Sequence, residues 1–159
     1  MASAETAAAQ LEQALGIAWR YLNRRDRTPS EMRQHLEKRG VETEAAEQAI
    51  VELVEGGYLD DARFAQHFAE DRRALDGWGG ERIGRRLGEL GVDRELVEAT
   101  IGGRSAAEEV EAAVELLRVR RFGSMDDPRE HNRAFGLLVR RGYEVELAGD
   151  AVRAYGRSW

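Results

Sequence analysis

The chain has 159 residues, of which 42% are hydrophobic and 34% are charged, with a net charge of -6 and no cysteine. This composition excludes a disordered chain, a disulfide framework and a Cys-based zinc site, and no apolar run approaches the ~20 residues that a membrane span needs. The acidic balance argues against strong autonomous DNA binding, because dedicated DNA-binding domains are usually basic. Ala, Leu, Glu and Arg abound whereas β-branched clusters are scarce, so an all-α fold is predicted.

The first segment, MASAETAAAQLEQ, has neither a basic region nor an apolar core. A secretory signal is therefore not expected, and the protein is predicted to be cytoplasmic. Residues 1–13 are predicted to form a mobile tail. A first helix follows, and its apolar face consists of Ile17, Ala18, Tyr21 and Leu22.

The second helix is marked at both ends. In TPSE, Thr28 is the predicted N-cap, Pro29 the first helical residue and Glu31 the reciprocal partner of a capping box. Gly40 falls where a left-handed C-cap residue is needed, a conformation that glycine adopts without steric cost. A third helix follows, and its apolar stripe consists of Ala46, Ala49, Ile50 and Leu53.

The same pattern recurs twice more at a spacing of 51 residues, in the segments EMRQHLEKRGV, ERIGRRLGELGV and NRAFGLLVRRGY. Six positions correspond in all three copies: Met32, Ile83 and Ala134; Leu36, Leu87 and Leu138; Gly40, Gly91 and Gly142; Val41, Val92 and Tyr143; Ala46, Val97 and Ala148; Ile50, Ile101 and Val152. The sequence therefore predicts three tandem three-helix repeats, at 14–59, 60–104 and 105–159. Because units this small bury little surface alone, they are expected to stack into an elongated, curved array, either right- or left-handed.

The second repeat begins with GGYLDDARFAQHFAEDR, which has two adjacent aspartates and one histidine. If Asp60 is the N-cap, Leu59 and Phe64 have the spacing of a hydrophobic staple. Asp61 would then favour the positive end of the helix. A metal or acid–base site needs ligands that converge from several elements, and His67 has no such partners in a recognisable spacing. A structural role is therefore favoured, and no catalytic, cofactor-binding or metal site is predicted.

The second helices of the other two repeats begin differently. GWGGE offers only a weak glycine N-cap. Its Trp78 is either an anchor for a partner or an aromatic packed against its own repeat. DPRE is predicted to form the capping box again, with Asp127, Pro128 and Glu130.

Arginines recur near the end of the first helix and along the second helix of each repeat. They are either a solvated face balanced by glutamates or a discontinuous basic stripe that follows a phosphate backbone or an acidic protein surface. The candidate stripe consists of Arg24, Arg25, Arg72, Arg73, Arg82, Arg85, Arg86, Arg118, Arg120, Arg121, Arg140 and Arg141.

The combined pattern resembles the RecX regulatory protein family. The shared motif consists of Tyr58, Leu59, Asp60, Asp61, Phe64 and Ala65. A Gly-rich turn and a helix with Ile83, Leu87 and a final Gly91 follow it, and RRFG and LLVRRGYEVE look like the third repeat of that family. The resemblance covers roughly residues 14–156.

The resemblance implies a non-enzymatic regulator that binds the RecA–single-stranded DNA filament and limits its ATP hydrolysis, extension and strand exchange in DNA repair, recombination and the SOS response. Contacts with RecA are expected to dominate and those with single-stranded DNA to be secondary. A monomer without cofactor or membrane contact is expected. Two alternatives remain open: an autonomous helix-turn-helix-like DNA-binding module and a helical protein-interaction adaptor unrelated to RecA.

Overall fold

The computed structural model describes residues 2–158. The helices found there are α1 Ala2–Leu22, α2 Pro29–Lys38, α3 Thr43–Glu55, α4 Asp61–Asp71, α5 Gly80–Glu89, α6 Arg94–Ile101, α7 Ala106–Val119, α8 Pro128–Arg140 and α9 Val145–Arg157, with a π-helical turn at Arg72–Asp76. No strand occurs in this part of the chain, so the all-α prediction with three-helix repeats is confirmed. None of its helices is long and apolar enough to cross a bilayer.

The N-terminal segment differs from its prediction. A mobile tail is expected at residues 1–13, but residues 2–13 are helical and belong to α1, which begins at Ala2; residue 1 lies outside the described residues. Leu11 packs on the core and Ala14 is fully buried, whereas the side chains of residues 3–9 are exposed. The alanine-rich stretch has a high helix propensity, so the helix that the core residues anchor extends through it.

The contacts divide the chain into two units. The first contains the residues up to Ala65 together with Glu89–Asp93, and the second contains Gln66–Gly88 and the residues from Arg94 onward. The core of the first unit consists of Ala14, Ile17, Ala18, Met32, Leu36, Ala45, Ala46, Ala49, Ile50, Leu53 and Leu59. The main core of the second consists of Ala113, Leu117, Phe122, Ala134, Leu138, Tyr143, Ala148, Ala151, Val152 and Tyr155.

The 51-residue pattern corresponds to equivalent places in the fold. All three residues at the Leu36 position are fully buried, as are all three at the Met32 position. Gly40, Gly91 and Gly142 end α2, α5 and α8 with φ of +78°, +88° and +95°, the left-handed conformation that the pattern predicts. The repeat boundaries 14–59, 60–104 and 105–159 and the elongated, curved outline stay predictions.

The predicted helix starts are confirmed in part. Thr28 and Glu31 form the reciprocal capping box of α2. Asp127 caps α8 through the Arg129 N–H at 2.9 Å, but the predicted box is wrong. Glu130 accepts the Gly123 N–H at 2.7 Å instead, because the preceding loop brings that donor to its carboxylate.

The aspartate pair begins a helix, as predicted. Asp60 accepts the Arg63 N–H at 3.1 Å, and Leu59 and Phe64 are both buried. Burial raises the pKa of Asp61, and the nearby carboxylate of Asp93 adds to this shift. Asp60 therefore caps the helix. Asp61 is partly buried next to other carboxylates, which disfavours its charged form, and the sequence does not reveal this.

Within the first unit, the N-terminus of α2 meets Leu90 and Gly91, the residues that follow α5. The Thr28 hydroxyl accepts the Glu31 N–H at 3.1 Å and donates to the Leu90 carbonyl at 2.6 Å. At the next residue, a Cβ built on Gly91 would lie 2.2 Å from Ser30 Cβ. We call this contact the first junction; it places the Leu90 carbonyl at the positive end of α2.

Within the second unit, the N-terminus of α5 meets the C-terminal turn of α8. The Gly79 N–H donates to the Arg141 carbonyl at 2.8 Å, and the Glu81 N–H donates to the Gly142 carbonyl at 2.9 Å. Positions 79 and 141 are the counterparts of 28 and 90 at the 51-residue spacing. This second junction therefore repeats the first, and it positions the arginines at both helix ends.

Candidate functional site

Trp78 packs against its own unit. Its ring centroid lies 6.1 Å from that of Phe68, nearly edge to face. The guanidinium groups of Arg82 and Arg72 lie 4.2 and 5.9 Å from the same ring. Cations over an aromatic face are attracted by its quadrupole, so the GWGG turn is fixed by packing. Of the two roles that the sequence left open for Trp78, the structure favours the packing role.

The π-helical turn connects further arginines to the second junction. Arg72 forms a salt bridge with Asp76 four residues on, and Arg141 donates to the Asp76 carbonyl. Arg82 donates to the Arg140 carbonyl at 3.3 Å. The structure thus brings Arg72, Arg82 and Arg141 together as half-buried residues that stabilise the junction. These three arginines are therefore less exposed than most other members of the candidate stripe, whose role as a solvated face or as a partner-binding stripe stays a prediction.

Arg73, the next residue of this turn, contacts the end of α6. It donates to the Ile101 carbonyl at 3.4 Å, and burial together with the nearby Arg104 lowers its pKa. Its Nε atom is buried without a hydrogen-bond partner. Arg73 is therefore also held by its own unit.

Glu109 is a site residue that the sequence reasoning missed. Its side chain is buried, accepts the Gly80 N–H at 3.2 Å and pairs with Arg104 at 3.3 Å. It supplies the cap that GWGGE lacks at the start of α5. The signal was its spacing, because Glu109 lies four and eight residues before the buried Ala113 and Leu117 and thus on the inner face of α7.

Eight members of the candidate stripe are exposed. In the second unit these are Arg85, Arg86, Arg118, Arg120, Arg121 and Arg140. In the first unit they are Arg24 and Arg25, of which Arg25 bonds Glu31 at 2.6 Å. The exposed set is the part of the stripe that a partner can reach.

Arg121 has an unusual backbone conformation. Its φ is +57°, and it is the one non-glycine residue with positive φ among residues 2–158. The Phe122 N–H bonds the Leu117 carbonyl at 3.2 Å across it, so Arg121 occupies the left-handed position that ends α7. Glycine fills the matching place after α2, α5 and α8, and the arginine therefore carries local strain.

A basic patch surrounds His35 in the first unit. The His35 ring stacks on Tyr21 with centroids 3.7 Å apart, and Arg27 lies 3.7 Å from the Tyr21 centroid. Burial lowers the pKa of His35, and Arg39, Arg27, Arg24 and Lys38 lower it further in that order. Four cations are therefore close enough to His35 to disfavour its protonation. Lys38 and Arg39, both exposed, belong to this surface although the candidate stripe omitted them.

Nothing in residues 2–158 brings three metal-ligating side chains together. The arrangement offers exposed guanidinium groups and a basic patch, both of which can contact anions. Binding of an anionic partner is the chemistry that these residues support.

Comparison with known proteins identifies the family. Residues 14–53 match the family model described as the first three-helix domain of RecX, and residues 60–101 match that of the second three-helix domain. Regulatory protein RecX of Mycobacterium avium is 34% identical over 146 residues, which cover 90% of this chain and 84% of the relative. Regulatory protein RecX of Stenotrophomonas maltophilia is 36% identical over 145 residues, which cover 90% and 82%.

Solved structures show the same fold. RecX from Lactobacillus salivarius has a TM-score of 0.80 at 17% identity, with 93% of this chain and 97% of that chain covered. A second RecX regulatory protein structure gives 0.76 at 19% identity, with 99% and 76% covered. At identities this low, the two structures support the fold alone. The family models and the relatives establish that this chain belongs to the RecX family of regulatory proteins.

Proposed function

We propose that this protein binds the RecA–single-stranded DNA filament in the cytoplasm and limits its ATP hydrolysis, extension and strand exchange, without being an enzyme. Membership of the RecX family carries the proposal. The exposed arginines support it, because they offer several separate contacts to an anionic or acidic assembly.

The mechanism is one of many weak contacts. Exposed guanidinium groups such as Arg85 and Arg140 each contribute modestly, since solvent and salt screen them. Contacts that share one chain nevertheless add through effective concentration. A protein with a net charge of -6 gains little from naked DNA alone, so RecA is the main proposed partner and single-stranded DNA the secondary one.

The structure determines which arginines of the candidate stripe are suitable for mutation. Charge reversal at Arg82 would break its contact with Trp78 and the second junction, and loss of function would then report on folding. Arg85→Glu with Arg140→Glu is the sharper variant. Arg94→Glu with Arg153→Glu is the matched control, because those two arginines are exposed and lie outside the stripe.

The experiment is a titration of RecA ATP hydrolysis on single-stranded DNA. The wild-type protein is expected to inhibit, and the Arg85/Arg140 variant to need roughly tenfold more protein for half-inhibition, as the loss of two charge contacts implies. The control variant should match the wild type. Lack of inhibition by the wild type across a wide concentration range would contradict the proposed function.

Tight, steeply salt-dependent binding to naked DNA would favour the autonomous DNA-binding alternative instead. Equal effects of the two double variants would remove the candidate stripe from the mechanism while leaving the partner unchanged.

A further inference from the structure

The first unit exposes an aromatic and aliphatic patch on α1, α3 and the turn after α3. Trp19, Val51, Val54 and Tyr58 are 38%, 51%, 47% and 54% exposed. The rings of Trp19 and Tyr58 meet edge to face with centroids 4.5 Å apart, and Val51 and Val54 lie three residues apart on one side of α3. We call these four residues the Trp19–Tyr58 patch.

The Tyr58 ring is held in place without being buried. Its backbone N–H bonds the Leu53 carbonyl at 2.8 Å, and a Cβ built on Gly56 would lie 2.9 Å from two ring carbons. The ring therefore lies directly over Gly56, and any larger residue at position 56 would displace the ring. An exposed aromatic that is already ordered loses little conformational entropy when it contacts a partner.

Two carboxylates flank the aliphatic part of the patch. Glu52 and Glu55 are exposed beside Val51 and Val54 on α3. The stretch 42–61, from which three of the four patch residues come, has seven acidic residues and no basic one. One cation is placed near the aromatic end, since Arg63 donates to the Gly57 carbonyl at 2.9 Å. Arg20 is the sequence neighbour of Trp19. The charge beside the aliphatic part is negative.

We propose that the Trp19–Tyr58 patch docks an apolar segment of a partner protein that carries lysine or arginine beside its apolar residues. Resting on the proposed function, we assign that segment to the RecA subunits of the filament. Apolar centres rimmed by charge are typical of protein interfaces, in which aromatic anchors dominate the binding energy. This surface is distinct from the exposed arginines of the second unit. Those arginines contact acidic groups of a partner, whereas this patch contacts a basic segment.

Two other occupants fit less well. Bases of single-stranded DNA stack on exposed aromatics, but such sites combine them with a basic groove, and Glu52 and Glu55 would repel phosphates. A second copy of this chain in a symmetric contact would bring its own Glu52 and Glu55 against the same residues. A basic protein segment meets neither obstacle.

The test uses the full chain in the RecA ATP hydrolysis titration. Trp19→Ala with Tyr58→Ala is expected to raise the protein concentration for half-inhibition by at least about tenfold, the loss typical of two anchor residues. Leu75→Ala with Val145→Ala is the matched control, since those side chains are 73% and 62% exposed elsewhere, and it should inhibit like the wild type. Circular dichroism should show the helicity of the wild type in both variants, and thermal unfolding should show only a modest loss of stability in the Trp19/Tyr58 variant, which lacks the edge-to-face pair.

A charge variant tests the chemistry of the partner. Glu52→Lys with Glu55→Lys should weaken inhibition, whereas Glu95→Lys with Glu98→Lys, at the same spacing on α6, should not. Gly56→Ala should weaken inhibition as well, because it displaces the Tyr58 ring at a residue whose φ of -77° accommodates alanine.

The outcomes separate the two proposals. Inhibition by the wild type and equally by the Trp19/Tyr58 variant would overturn the docking patch and leave the proposed function intact. Lack of inhibition by the wild type would overturn both. Self-association of the wild type that the variant abolishes would assign the patch to a second copy and overturn the inference. Loss of naked single-stranded DNA binding in the variant would overturn it in favour of base stacking.

Discussion

The two junctions lie at equivalent positions of the 51-residue pattern, but different groups make the hydrogen bond in each. In the first, a side chain makes the hydrogen bond: the Thr28 hydroxyl reaches the Leu90 carbonyl. In the second, glycine replaces threonine, and the backbone N–H of Gly79 bonds the Arg141 carbonyl directly. Backbone lies against backbone in the second junction, so it tolerates substitution less.

The glycines that end the helices show the same difference. A Cβ on Gly91 would meet the side chain of Ser30 at 2.2 Å, while Ser30 Cα stays 3.7 Å away. A Cβ on Gly142 would meet the Arg82 backbone as well, at 2.5 Å from its nitrogen and 2.9 Å from its Cα. Gly40 has nothing within 4 Å of its Cβ position. Replacing the glycine at this one motif position by alanine should therefore destabilise the protein to a different extent in each of the three copies.

Gly142→Ala should have the largest effect. The substitution combines left-handed strain with a backbone clash that cannot relax by side-chain movement, so we expect a loss of about 3 kcal/mol or more in unfolding free energy. Gly40→Ala is the control, because it carries the strain alone, at about 1 kcal/mol. Urea unfolding measures both; equal losses would show that the second junction does not constrain Gly142.

Gly91→Ala should cost about 2 kcal/mol, less than Gly142→Ala, because its clash is with a side chain. Ser30→Gly removes that side chain and should restore most of the difference from Gly40→Ala. Arg82→Gly, by contrast, should not rescue Gly142→Ala, since the backbone atoms of residue 82 remain. A double-mutant cycle in each junction measures these couplings, and the same rescue in both would contradict the difference between them.

Thr28→Val should cost about 1–2 kcal/mol, because it keeps the shape of the fully buried side chain but leaves the Leu90 carbonyl and the Glu31 N–H without their partner. Thr28→Ser keeps the hydroxyl and should lose less. Thermal unfolding of the two variants provides the measurement. A Val variant as stable as the Ser variant would mean that the hydroxyl contributes nothing to the first junction.

Arg121→Gly should have the smallest effect and the opposite sign. Glycine relieves the positive φ at the end of α7, offset by its greater freedom in the unfolded chain, so a gain of about 0.5 kcal/mol is expected. If the same variant weakens RecA inhibition, the arginine is retained there for binding rather than for folding. Denaturant unfolding would contradict the strain if it showed a loss of stability.

The repeats could be predicted from the sequence because buried positions recur at a fixed offset. Leu36, Leu87 and Leu138 reveal a shared core, and the glycines reveal shared helix ends. The junctions could not be predicted, since Thr28 and Leu90 are 62 residues apart and an offset shows equivalence rather than contact.

The candidate stripe shows the corresponding limit for function. Charge in a sequence suggests exposure, yet Arg72, Arg82 and Arg141 are half-buried around Trp78 and Asp76. Glu109 is a different case, because its spacing from Ala113 and Leu117 places it on the inner face of α7, although charge alone does not separate it from its exposed neighbours. For Arg82 and Arg141 a linear pattern is not enough, since their burial depends on packing from elements distant in sequence.

Filament binding tests the central claim most directly. RecA assembled on an oligo-dT strand with a slowly hydrolysed ATP analogue can be titrated with this protein, alongside RecA alone and the oligonucleotide alone. We expect tighter binding to the filament than to either component. Equal binding to the naked oligonucleotide, or no binding to the filament, would contradict the claim.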